Sequence, residues 1–93
     1  MAISQKAQEF LIRSRIADAE RGDVDALFEL GITYSTGRGG VCVDLIEAHK
    51  WFNLAALKGR ADAIPLRREV AELMSEVEIA MAQREARAWI TAH

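Results

Sequence analysis

The sequence predicts an all-α fold of about five helices arranged as antiparallel pairs. Three observations predict it. Apolar residues recur at helical spacing, and no segment shows convincing period-two alternation. Helix-capping residues and glycines punctuate the chain at short intervals. A block of residues recurs at an offset of 37, and a period in the thirties is typical of stacked two-helix units.

The first helix is expected over residues 3–21. Ile3, Ala7, Phe10, Leu11, Ser14, Ala17 and Asp18 share helical spacing there, with charged residues between them. Gly22 supplies a stop, and Asp23 is a good N-cap for a second helix reaching about Thr36. In that helix Leu27, Leu30, Gly31 and Tyr34 fall at i, i+3, i+4 and i+7, a single buried stripe. Gly31 costs about 1 kcal/mol relative to alanine inside a helix, so its presence implies the close approach of another helix.

Asp44 opens the third helix with an acidic cap, and Glu47 stands at the capping-box position. Ala48, Trp51, Phe52, Ala55 and Ala56 follow on one face, and small residues beside large aromatics suit close helix packing. Gly59 ends it. Asp62 is the expected cap of the fourth helix, which places Pro65 in the first turn, where its missing N–H is not needed. Leu66, Val70, Leu73 and Met74 form its apolar line. Ser75 and Glu78 make a second capping box, starting a fifth helix that runs to about Thr91. Val77, Ile79, Ala82, Ala86, Trp89 and Ile90 are available for its packing. Connections this short make neighbouring helices antiparallel hairpins.

At 93 residues the chain is one domain, spanning 1–93, and folding hides roughly two-thirds of the surface of the unfolded chain. The net charge is −2, with five basic and seven acidic residues in 1–46 and seven of each in 47–93. Neither half is basic enough to follow a phosphate backbone, which argues against nucleic acid. No apolar stretch approaches the ~20 residues needed to cross a bilayer, and the N-terminus lacks the apolar run of a signal peptide. Cys42 has no partner for a disulfide, so a reducing cytoplasm is the expected compartment.

Candidate chemistry is sparse. Gly37-Arg38-Gly39-Gly40 follows a helix and leads to Val41-Cys42. A phosphate loop follows a strand and ends in Lys-Ser/Thr before a helix, so this run reads as a helix-linking turn. Cys42 and His49 are two lone residues, whereas zinc needs three or four ligands. His93, the last residue, is expected to fray. Trp51, Phe52 and Trp89 sit beside alanines at helical spacing and read as core rather than as ligand-stacking residues. No catalytic, cofactor-binding or metal site is expected. A surplus remains on the second helix, where Val24, Phe28 and Ile32 form a second apolar stripe at i, i+4, i+8. Left exposed, it would receive an amphipathic helix or an extended peptide. The N-terminal helix is the alternative occupant. The stripe does not continue into the next unit, where the same offset gives Pro65 and Glu69.

The repeated blocks are Ala19-Glu20-Arg21-Gly22-Asp23-Val24-Asp25-Ala26-Leu27 and Ala56-Leu57-Lys58-Gly59-Arg60-Ala61-Asp62-Ala63-Ile64. Between them, the stretch Ala26, Leu30-Gly31, Tyr34, Gly37, Gly39/Gly40-Val41, Asp44, Ala48, Trp51-Phe52, Ala55-Ala56, Gly59 and Ala63 resembles one complete Sel-1-like repeat, a relative of the tetratricopeptide repeat. The stretch from Met74-Ser75 through Ala86-Arg87 to Trp89 resembles the helix that closes many bacterial proteins of this family. The resemblance implies a short right-handed α-solenoid with a concave side. A complete repeat occupies about 23–59, an N-terminal capping helix 3–21 and a C-terminal helix pair 62–91. It also implies adaptor or scaffold work on another protein, with Asp25, Phe28, Ile32 and Glu69 as the binding residues. A self-associating homodimer is the second expectation. An enzyme or ligand carrier is the third, and a bound ligand would be its signature.

Overall fold

The computed structural model describes residues 5–93. Ile3, the start of the expected first helix, lies outside them. Among the described residues there are five α-helices and no strand: α1 (Gln5–Glu20), α2 (Val24–Thr36), α3 (Leu45–Leu57), α4 (Ala63–Ala71) and α5 (Glu76–Ala92), with a 3-10 turn at Arg38–Gly40 between α2 and α3. Of these described helices none is long and apolar enough to cross a membrane. The radius of gyration is 12.7 Å, close to the ~12 Å expected of a compact chain of this length.

The capping residues begin the helices largely as their chemistry requires. Asp23 accepts hydrogen bonds from the backbone N–H groups of Asp25 and Ala26 at 3.0 and 3.3 Å. Ser75 and Glu78 close a complete capping box at the start of α5. Asp44 accepts from the N–H of Glu47 at 3.1 Å, but Glu47 is drawn elsewhere. Its carboxylate takes the indole N–H of Trp51 at 2.8 Å and pairs with Lys50 at 3.0 Å. A buried tryptophan needs a partner for its N–H, and that demand outranks the cap.

The turns at the 37-residue offset close in the same way. Gly22 N–H bonds the Ala19 carbonyl at 2.9 Å and Asp23 N–H that of Asp18 at 3.1 Å. Thirty-seven residues on, Gly59 N–H bonds Ala56 and Arg60 N–H bonds Ala55, both at 3.0 Å. This pair of bonds is a Schellman closure, and the two glycines have φ of 89° and 99°. After the turn the copies diverge. Arg60 stands where Asp23 caps α2, and a guanidinium cannot accept from backbone N–H groups. Helix α4 therefore begins at Ala63, two residues later than the offset from Val24 to Ala61 would put it. The expected cap, Asp62, makes no side-chain capping bond, because its carboxylate is held by Arg60.

Helix α3 is the centre of the fold and packs against α2, α4 and α5, while α1 packs chiefly on α2. Trp51, Phe52, Leu27 and Leu30 are the largest fully buried side chains. Gly31 lets α3 approach α2: a Cβ at that position would lie 2.5–2.9 Å from three ring carbons of Phe52. The α4–α5 pair departs from the expected hairpin. Helix α5 rests on α3, through Ala86 and Trp89 among others, and makes little contact with α4. Helix α4 ends at Ala71, so Leu73 falls in the following turn at 74% exposure, and Val77 is 70% exposed on α5. Phe10 and Ile90, both expected to pack, are also exposed. His93 does not fray: its ring stacks on Trp89 at a centroid distance of 4.0 Å, and its Nε2 lies 3.4 Å from the Glu20 carboxylate.

Candidate protein-binding face

Val24, Phe28 and Ile32 line one side of α2, each half-buried against the core. Where α1 borders clefts on α2, the α2 residues are Leu27, Glu29, Thr33 and Tyr34, and none belongs to the stripe. The edge of the stripe turns toward α3, where Phe28 meets Phe52 edge-on with ring centroids 5.8 Å apart.

The exposed side of Phe28 is roofed by Arg60, whose Cζ lies 3.7 Å from the ring centroid. Two carboxylates hold that guanidinium. Asp62 takes Nε at 2.9 Å and Nη2 at 3.3 Å, and Asp25 takes Nη1 at 2.8 Å. The hydrogen bond to Asp62, more than any other influence, raises the guanidinium's pKa further, so it is charged throughout the working range. A cation over an aromatic face is attracted by the negative π-cloud. The cluster thus ties the α3–α4 turn to α2 across 35 residues of sequence.

Of the four residues expected to bind a partner, Asp25 and Phe28 meet at this cluster. Ile32 lies one turn along α2, and Glu69 is exposed on α4. Arg60 was not among them. Its signal was present in the repeated block, where Asp23 against Arg60 is the one charge reversal between the two copies.

Other chemistry-bearing residues are placed differently. Cys42 is exposed and borders a cleft with Tyr34 and α1. His49 is 4% exposed on α3, and its Nδ1 has no hydrogen-bond partner among the described residues. Burial, reinforced by the charge of Arg67, pushes its pKa down. Burial, with Glu47 and Asp44 nearby, pushes the Tyr34 hydroxyl up. A second apolar cleft of about 400 Å³ lies at the ends of α3 and α5, with Leu27, Leu54, Leu57, Trp89 and His93 in its lining. No group of three or more His, Cys, Asp and Glu placed to hold a metal ion is found among the described residues.

No protein-family model matches the chain, and no curated protein or solved structure matches it either.

Proposed function

We propose that the chain is a non-enzymatic protein-interaction module of the Sel-1-like kind, a short α-solenoid acting as a cytoplasmic adaptor or scaffold. The observation that carries this reading is the Val24–Phe28–Ile32 stripe, partly buried on α2, whose aromatic anchor carries the Arg60 guanidinium on its ring face. Aromatic residues and arginine are enriched at protein interfaces relative to the rest of the surface. The identical closure of the two turns at the 37-residue offset supports the repeat. The test is affinity capture with wild type and Phe28→Ala in parallel. A partner whose recovery falls at least about tenfold with Phe28→Ala, while thermal unfolding moves little, supports the face. A large loss of melting temperature, or unchanged recovery, refutes it.

A second reading, self-association, is favoured by a different patch. Val77 and Met81 are exposed four residues apart on the first turns of α5, and Leu73 is exposed in the turn that precedes it. A second copy related by a two-fold axis would cover such a patch. Sedimentation should show a concentration-dependent dimer that Val77→Glu abolishes, and a strict monomer at high concentration refutes it.

A further inference from the structure

We propose that the partner reaches this face through an arginine, and that Arg60 is an intramolecular occupant of the arginine's place. The proposal rests on the stripe being the binding face and names the chemistry it recognises.

The Phe28 ring offers a π-face, and the two carboxylates beside it remain reachable from solvent, with side-chain exposures of 79% for Asp25 and 59% for Asp62. This combination suits a guanidinium better than any other side chain. The planar fork pairs with carboxylates through several donors at once while its flat face lies on the ring. Arg60 demonstrates that seating in the free chain. It comes from a turn, is itself 28% exposed, and stands where the equivalent position of the preceding unit has an aspartate. Two carboxylates against one guanidinium leave the cluster net negative with Arg60 in place, and doubly negative once Arg60 swings aside. Charge complementarity therefore selects a basic segment. Val24 and Ile32 flank the ring along α2, where apolar side chains of that segment would lie.

Self-occupancy lowers the apparent affinity by the fraction of molecules in which Arg60 has left, so removing Arg60 should tighten binding. The probe is N-acetyl-arginine amide, titrated into the isotope-labelled full chain and read by amide chemical shifts. N-acetyl-lysine amide and N-acetyl-glutamate amide serve as comparators. The arginine probe should perturb Asp25, Phe28 and Asp62, and bind Arg60→Ala at least about fivefold tighter than wild type. The lysine probe should bind less tightly, and the glutamate probe should leave these amides unmoved. Adding Asp25→Asn and Asp62→Asn to Arg60→Ala should erase the gain. Equal affinity for wild type and Arg60→Ala, or shifts centred elsewhere, overturns the proposal. Arg60→Gln is the second variant. If neither it nor Arg60→Ala folds, Arg60 is a structural strut and cannot be a displaceable occupant. Partner capture that still depends on Phe28 while the arginine probe fails would leave the binding face standing and remove only its arginine specificity.

Discussion

Replacing Gly31 with alanine sets two effects of opposite sign against each other. Helix propensity alone favours alanine by about 1 kcal/mol. The structure opposes it, because the new methyl would lie 2.5, 2.6 and 2.9 Å from Cδ1, Cε1 and Cγ of Phe52, whereas carbon atoms in contact sit about 3.5–4.0 Å apart. The ring must retreat by about 1 Å. Rotation cannot clear the clash, since Cγ at the root of the ring is among the atoms struck. Retreat of the ring is also restricted, because Phe52 is fully buried and has Phe28 against it. Overpacking of this kind costs about 1–3 kcal/mol, and the involvement of Cγ places it in the upper part of that range. The net expectation is a loss of about 1–2 kcal/mol, or roughly 5–15 °C in melting temperature for a domain of this size. Urea unfolding followed by circular dichroism and by tryptophan fluorescence measures it. In a Phe52→Ala background the same substitution should become neutral or stabilising, which a double-mutant cycle reads as coupling. A stability gain near 1 kcal/mol for Gly31→Ala in the wild-type background would falsify the close-approach argument.

Ser75→Ala removes the side-chain half of the capping box and should cost about 1 kcal/mol in urea unfolding without altering the helix content of the native state. His49 has its pKa depressed in the folded state below its ordinary 6.5, so the unfolded chain binds the extra proton first. Stability should be flat above that value and fall as pH drops through it toward the folded pKa. His49→Leu should flatten this part of the profile, and an unchanged slope would show that other groups cause it. Asp44→Ala should cost about 1 kcal/mol through the lost cap of α3, measured in the same way.

The helix starts at Asp23, Asp44 and Ser75 were legible because capping is local chemistry, decided within four residues. The approach at Gly31 was legible for a related reason: a glycine that lowers helix propensity implies something pressed against it. Periodicity was less informative at α5. That helix carries two apolar lines, Ala82–Ala86–Trp89 and Val77–Met81, and spacing shows that a face exists without showing what stands opposite. That second line makes little contact with α4, so Val77 is exposed, and Leu73 is exposed because α4 ends at Ala71 before reaching it. Arg60 was harder still to foresee. Its partners Asp25 and Phe28 lie more than 30 residues away, and only the folded turn brings them together. At the candidate site, then, the apolar stripe could be read from the chain, whereas the charge reversal at Arg60 marked the residue without showing that it roofs Phe28.

The packing around α3 makes the protein's resistance to unfolding uneven. Helices α2, α4 and α5 each bury against that one element, so none of them can leave without opening the centre, and their amides should exchange with solvent together. Helix α1 is attached chiefly through α2 and buries a single residue fully, Ala19 near its end. Its first turns can open while the remainder stays folded, an excursion far cheaper than global unfolding. A protease would find its earliest cut there, and what survives the cut would be the cooperative unit built around α3.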